Sequence, residues 1–487
     1  MPEVIIVGAG SSGLMLAAEL ALAGVGSTVF ERRPNQEVTG ARSLALQART
    51  LELFDQRGIV DRFLSAGQID QALEFGRARL GIIDFPSRHP YCLRLSQQRT
   101  ELIMSEWVAE FGTRIEYGVE VTGFDQDRGG VDVRLSDGRE LRADYIIGCD
   151  GSRSLIRRSA GIEFPGCDPT MSSLIAEVEL AEEPEWGVHE HEFGTQAFSL
   201  LADGRASLVV SERHPQENVD PTLEDLRSAL IDVWGTDFGA RGPGTISRFT
   251  DMARQASVYR SSRVLLAGDS AHVHSPVGGH GINTGVQDAV NLGWKLAQVV
   301  KGTSPESLLN TYHSERHPVG AQVIHLDLAV MALMRLDDRS VALNDVVTGW
   351  LRMDGPRRSL AGTLSGLDTR YGAQADIAAA DVHPLVGRRI PNLDLHTSKG
   401  ILRTYTLLHG GRPVLLNLGA PRDIDITDWG DRVDRVDARY YGGWDLPMVG
   451  EVSEPTAVLI RPDGYVAWVG DSGSEGLNEA IRFWFGS

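Results

Sequence analysis

The sequence predicts an α/β protein with a Rossmann-like dinucleotide-binding body, a β-rich unit inserted into it, and a separate C-terminal unit. Three observations carry this. Residues 4–7, Val-Ile-Ile-Val, run directly into Gly8-Ala9-Gly10-Ser11-Ser12-Gly13 and then an apolar helical stretch. A second passage from short apolar strand to glycine loop to helix occupies residues 264–296. Between residues 171 and 251 short apolar segments alternate with polar residues, as half-buried strands do.

With 487 residues the chain suggests two to four domains, and 42% hydrophobic with 23% charged residues provides a sizeable core. A net charge of −19 argues against a nucleic-acid or anionic-membrane partner. Cys92, Cys149 and Cys167 lack metal-ligand or Cys-x-x-Cys spacing, so a reduced, cytoplasmic protein without a metal site is expected. The apolar stretch 14–23 is flanked by Glu3 and contains Glu19, with no basic segment before it, unlike a signal peptide.

In chain order, residues 4–7 read as a strand covered on both faces, because polar alternation is absent. The glycine turn, a helix over 14–24, and a strand 28–30 ending on Glu31 complete a dinucleotide-binding βαβ unit. Gly8 makes the turn, Gly10 lets a pyrophosphate approach, and Gly13 permits close helix–strand packing. The helix N-terminus stabilises phosphate charge, and Glu31 accepts ribose hydroxyls. The unit does not distinguish FAD from NAD. Arg32 and Arg33 stand either in solvent or near an adenosine phosphate, and Arg42 either on the surface or near the cofactor.

Residues 72–90 carry Gly76, Gly81, Pro86 and Pro90 as breakers, which predicts an excursion into another sheet. Strands are expected at 118–124 and 131–135, with 136–139, Ser-Asp-Gly-Arg, as a hairpin turn. A further strand runs into Asp150, with Arg153 and Arg157 just beyond. The β-rich unit has strands at 175–180 and 206–210 and a helix over 223–233. From residue 296 the helical pattern runs on to about 336.

Three motifs then stand together: the glycine turn with Glu31; Asp-Gly-x-x-Ser-x-x-Arg at 150–157; and Gly268-Asp269 with Pro276 and Gly278-Gly279-His280-Gly281-Ile282-Asn283. Their order and spacing resemble the single-component FAD-dependent aromatic hydroxylases, the para-hydroxybenzoate hydroxylase superfamily, over residues 1 to about 385. The resemblance implies an FAD-binding domain (1–72, 97–170 and 265–385), a substrate-binding middle domain (73–96 and 171–264), and FAD with NADPH or NADH as co-substrate. It implies that Gly8, Gly10, Ser12, Gly13, Glu31, Arg32, Arg42, Gln97, Val121, Asp150, Asp269, Gly281, Ile282 and Asn283 bind the cofactor. Within that set Asp269 holds the ribitol, residues 281–283 line the isoalloxazine edge, Val121 meets adenine, and Asp150 serves both FAD and nicotinamide. Arg42 and Pro276 position the flavin, with no acid–base residue assigned. His280 stands where many members have Gln, and is read as a hydrogen-bonding substitute. A helix starting near Gly281 would stabilise negative charge on the N1–C2=O edge of reduced flavin. The reaction implied is oxygen transfer from a flavin C4a-hydroperoxide to an electron-rich ring. Phe193, Phe198, His189 and Arg213 are candidates for the substrate cavity.

Residues 390–487 form their own unit, with strands at 413–418 and 434–439, a hairpin of 456–460 and 465–469, and a helix over 477–485. This order resembles a thioredoxin-like domain, with a cis peptide expected at Glu454–Pro455. It holds no cysteine, so a structural or association role is expected. A hydroxylase body with this tail is similar to bacterial hydroxylases of aromatic polyketides and to rifampicin monooxygenase. That implies a polycyclic phenol or quinone substrate, molecular oxygen, and a monomer or homodimer. A small-phenol hydroxylase, a Baeyer–Villiger monooxygenase and a catalytically silent flavin-binding accessory protein are the alternatives.

Overall fold

The computed structural model describes residues 3–37, 45–191, 193–201, 203–216, 220–372, 382–419, 424, 426, 429–470 and 475–486. Arg42 lies outside the described residues. The body is built on a six-stranded sheet in the order Arg260–Ser261, Val264–Leu266, Tyr145–Gly148, Val4–Val7, Ser27–Glu31, Arg114–Tyr117. All neighbours are parallel except the first pair. Val4–Val7 is fully buried, which explains its unbroken apolar run.

The helix Ser11–Leu22 packs along the helix His280–Val300. They approach closely because Gly285 and Gly293 leave room for the side chains of Ser12 and Glu19, which a Cβ at either glycine would overlap. Residues 121–143 form a three-stranded antiparallel meander, Val121–Asp127, Gly130–Leu135 and Glu140–Ala143. The turn at 136–139 therefore joins its second strand to a third. The expected continuous helix to residue 336 is instead two, His280–Val300 and Asn310–Leu333. Gly302, at φ 69°, and Pro305 interrupt it.

The middle unit is a five-stranded antiparallel sheet in the order Gly187–His191, Gly194–Leu200, Ala206–Ser211, Ser172–Glu179, Arg241–Thr250. One face, with Leu174, Ala176, Val178, Phe198 and Leu208, packs on the helix Leu223–Trp234. A reciprocal Thr222–Asp225 capping box starts that helix. The other face carries Ile175, Val209 and Ala197 in register, all half-buried. Two cavity candidates are on the wrong face for a cavity. Phe198 is buried against Trp234 and Phe238, and His189 meets Trp234 edge to face. The hairpin of Ala72–Phe75 and Ala78–Gly81 does not extend this sheet. Leu73, Phe75 and Leu80 pack with Val330, Leu333, Leu351, Ala361 and Leu364, because its alternating apolar positions meet the end of the Asn310–Leu333 helix.

The C-terminal unit is a four-stranded sheet, Asp434–Asp437, Val414–Asn417, Ala457–Ile460, Val466–Gly470. The first pair is parallel and the rest antiparallel. The helix Leu477–Phe485 packs against it. The Glu454–Pro455 peptide is trans, contrary to expectation, since no cis bond occurs among the described residues. The extended chain already satisfies its pairing there: Thr456 donates its N–H to Gly470 and its carbonyl accepts from Leu418 and Gly419.

Candidate functional site

The three motifs meet at the carboxyl ends of adjacent parallel strands, where open α/β sheets place ligands. Gly8 has φ 103°, and a Cβ there would overlap the Cys149 carbonyl. A Cβ on Gly13 would overlap the Gly8 carbonyl, so only glycine lets the helix start this close to the strand. Gly10, the N-cap, has no neighbour tighter than the Glu101 carboxylate at 3.8 Å, which leaves its backbone open. Glu31 is buried and accepts from the Ala9 N–H at 2.7 Å and the Arg33 N–H at 2.9 Å. Arg33 donates to the Ala9 carbonyl at 3.0 Å and pairs with Glu101. Burial raises the Glu101 carboxyl above its ordinary range, against the opposing pull of Gln97 and Arg33. Gln97 donates to Glu101 at 2.9 Å, and the Arg32 side chain is exposed.

The second motif locks onto the first and third. The Ser270 hydroxyl donates to the Gly148 carbonyl at 2.5 Å, and Arg157 donates to the Ser270 carbonyl at 2.9 Å. Asp150 accepts from the Ile156 N–H at 3.1 Å, while its other oxygen is buried without a partner. Burial raises its carboxyl above the ordinary range.

In the third motif Gly268 turns with φ 66°, and the Asp269 carboxylate is exposed, facing the start of the His280–Val300 helix beside Gly281. Gly278 and Gly279 both have positive φ, at 95° and 67°, so the chain doubles back and aims the first helical N–H groups into the loop. The Asn283 side chain ties that loop to the strand at residues 45–46. It accepts from the Gln47 N–H at 2.8 Å and donates to the carbonyls of Ala45 and Gly279 at 3.0 and 2.8 Å. Its side chain is thereby used up, and only backbone remains for a ligand. The His280 Nδ1 accepts from Gln47 at 2.8 Å. Burial, together with His274, pushes His280 down to about 3, so it is neutral near pH 7 and makes the hydrogen bond a Gln would make.

Beneath this loop lies a network that sequence reasoning missed. Asp288 is wholly buried and accepts from the Gly268 N–H at 3.1 Å, His272 Nε2 at 2.6 Å and Arg316 Nε at 2.7 Å. Burial would raise its carboxyl, yet Arg316 and His272 hold it below the ordinary range. His272 is therefore a partner of this carboxylate, and among the described residues no cluster of His, Cys, Asp and Glu could hold a metal. The available signal was Asp288, Asn291 and Lys295 recurring along one face of an apolar helix, where unpaired polar groups are too costly to bury.

Of the other expected residues, Val121 is buried at the start of its strand in the body core. Pro276, in the loop, and Ile282, in the first turn of the His280–Val300 helix, are half-buried. The Ser12 hydroxyl is wedged between Gly268 and Gly285, which leaves its backbone N–H as the group for a phosphate. Phe193 and Arg213 contact each other, the guanidinium 5.7 Å from the ring, at the end of the middle sheet nearest the body.

An FAD fits this geometry. The two helices that follow the glycine turns pack side by side with Ser12 against Gly268 and Gly285, the Gly10 backbone is left open, and Asp150 retains an unsatisfied buried oxygen. Residues 1–327 match the model of an FAD binding domain and residues 383–487 that of the aromatic-ring hydroxylase C-terminal domain. The chain is 40% identical to the 12-dehydrotetracycline 5-monooxygenase/anhydrotetracycline 6-monooxygenase of Streptomyces rimosus, over 99% of each chain. It is 37% identical to the rifampicin monooxygenase of Streptomyces venezuelae, over 100% of this chain and 99% of that one. Among solved structures, an aromatic hydroxylase from angucycline biosynthesis superposes with a TM-score of 0.89 at 39% identity, covering 100% of this chain and 99% of the other.

Proposed function

We propose, from the premise that this chain belongs to the FAD-binding aromatic-ring hydroxylases, that it hydroxylates a polycyclic polyketide-type phenol or quinone. NADPH, or NADH, is the electron donor and dioxygen the oxygen source. The observation that carries this is the meeting of three loops at the carboxyl ends of adjacent parallel strands, matched along the full chain by an anhydrotetracycline monooxygenase and a rifampicin monooxygenase.

FAD, when bound, supplies the reduction and oxygen activation. The protein's part is holding and positioning. The turn at residues 8–13 would hold the pyrophosphate, Glu31 the adenosine ribose, and Asp269 the ribitol. Backbone N–H groups at Gly281, Ile282 and Asn283 would hold the pyrimidine side of the flavin, where the helix N-terminus would stabilise negative charge. Neutral His280 adds no proton donor near pH 7; it fixes the loop through Gln47. The open face of the middle sheet, with Ile175, Ala197 and Val209, is the apolar wall for a planar substrate. The C-terminal unit is read as thioredoxin-like, supported by its strand order and sense.

Purified protein is expected to be yellow, and a panel of anthraquinones, angucyclinones and ansamycins to include one that stimulates NADPH oxidation. Labelled dioxygen should place one atom in that product. A colourless protein that cannot be reconstituted with FAD would refute the reading.

A further inference from the structure

The hairpin at the tip of the C-terminal unit does more than touch the body. Arg461 spans Glu315 with two hydrogen bonds, at 2.6 and 2.9 Å, and Asp463 accepts from Trp294 at 3.2 Å. Arg49 and Arg57, both on or beside the Ala48–Gln56 helix, donate to the carbonyls of Asp463 and Pro462, each at 2.9 Å. These groups are buried, and they explain why charged residues recur on otherwise apolar helices.

One branch of this contact leads to the cofactor loop. Tyr465, at the base of the hairpin, stacks on Tyr371 with centroids 4.1 Å apart. The Tyr371 hydroxyl accepts from Arg316 at 3.0 Å. Arg316 in turn grips Asp288 and the Thr284 carbonyl. Asp288 receives the Gly268 N–H, the residue before Asp269. Every link is a direct contact, and every side chain in it is buried.

We infer that the C-terminal unit acts as a clamp on the cofactor loop, with Tyr371 as the positioning residue that transmits it from Tyr465 through Arg316 and Asp288 to Gly268–Asp269. The inference rests on the FAD reading given above. Tyr371 touches no reacting atom in this scheme; it fixes the orientation of a buried guanidinium, which fixes the carboxylate that sets the loop. Without the hydroxyl, Arg316 loses one of its three partners in a place where water does not replace it. The loop then samples wider geometries, and cofactor binding carries the cost of re-ordering it.

The test is FAD titration of apo-protein for wild type, Tyr371→Phe, Tyr465→Leu, the double variant, and Tyr405→Phe, with melting of each apo form alongside. Tyr405 donates to the Ile390 carbonyl at 3.2 Å inside the same unit but lies off this chain of contacts. Tyr371→Phe and Tyr465→Leu should each weaken FAD binding about tenfold, the size of one lost charged hydrogen bond. The double variant should be little worse than either, since a cut path cannot be cut twice. Tyr405→Phe should lower the melting temperature and leave FAD affinity unchanged. Full additivity, or an equal loss in Tyr405→Phe, would overturn the clamp, because either means generic destabilisation. Should Tyr465→Leu fail to fold, Tyr371→Phe against Tyr405→Phe decides alone. Normal wild-type binding with Tyr371→Phe unchanged overturns this inference only; a wild type that takes up no FAD overturns the site reading and this inference together.

Discussion

The body contains two passages from strand through glycine turn to helix, at residues 7–13 and 266–283, and they are held in different ways. The first is held from nearby. Glu31, on the adjacent strand, accepts the Ala9 N–H, and the glycines themselves set the path. The second is also held from much farther along the chain: the Asn283 side chain bonds the Gln47 N–H and the Ala45 carbonyl, 236 and 238 residues away, and Asp288, which accepts the Gly268 N–H, is itself gripped by Arg316. The difference teaches that a phosphate turn is a local, steric object, whereas a loop presenting a carboxylate and bare N–H groups needs an outside frame. The first should therefore fail by clash and the second by loss of charge pairing.

The largest expected effect is Gly13→Ala. Its Cβ would overlap the Gly8 carbonyl, which is backbone and cannot swing away. FAD uptake should fall below detection in an absorbance ratio; a normally yellow Gly13→Ala protein would erase the contrast between the two loops. Next is Asp288→Asn, which leaves Arg316 buried without its countercharge. It should cost about 3–5 kcal/mol in denaturant unfolding, and a loss under about 1 kcal/mol would mean the outside frame is dispensable.

The buried contact between the C-terminal hairpin and the body should also be acid-sensitive. Burial alone would raise Glu315, but Arg461 and Lys295 hold it down to about 2, against an ordinary 4.5. A carboxyl lowered in the folded state contributes stability that is present above pH 4.5 and lost as pH falls towards 2. A gap of that size corresponds to about 3 kcal/mol. Unfolding measured from pH 5 to 2 should thus be steeper in wild type than in Glu315→Gln, and identical slopes would mean that Glu315 does not stabilise this contact. Asn283→Ala, which deletes three hydrogen bonds with Gln47, Ala45 and Gly279, should cost about 1–3 kcal/mol. That change should loosen the 266–283 loop and leave the first turn's protection from hydrogen exchange intact.

The same contrast decides what was legible in the sequence. The first turn was readable because its strand, glycine turn, helix, strand and acid follow one another within one short stretch of chain, although the Cys149 carbonyl that Gly8 must clear was not. The last helix, 477–485, and the helix beginning at Leu223 were likewise visible in the sequence pattern. Asp288, Arg316 and Tyr371 were not, since each has a partner far off in sequence and nothing local separates a paired buried charge from a solvated one. Phe198 and His189 show the same limit in the middle sheet. Strand alternation gives two faces, and only the position of the Leu223–Trp234 helix says which is core.

The smallest expected effect concerns a departure from the pattern of the resembling family. His280 accepts from the Gln47 side chain through Nδ1 at 2.8 Å and is neutral near pH 7, because burial and His274 disfavour its charged form. A Gln at this place offers a carbonyl oxygen to the same donor. His280→Gln should therefore change stability by less than about 1 kcal/mol and FAD affinity by no more than about threefold. Because the imidazole titrates only near pH 3, the variant should keep the wild-type pH–rate profile between pH 5 and 9. A profile that loses a limb in this variant would make His280 a proton carrier, and the outside frame would then include a residue that takes part in the chemistry as well as holding the loop.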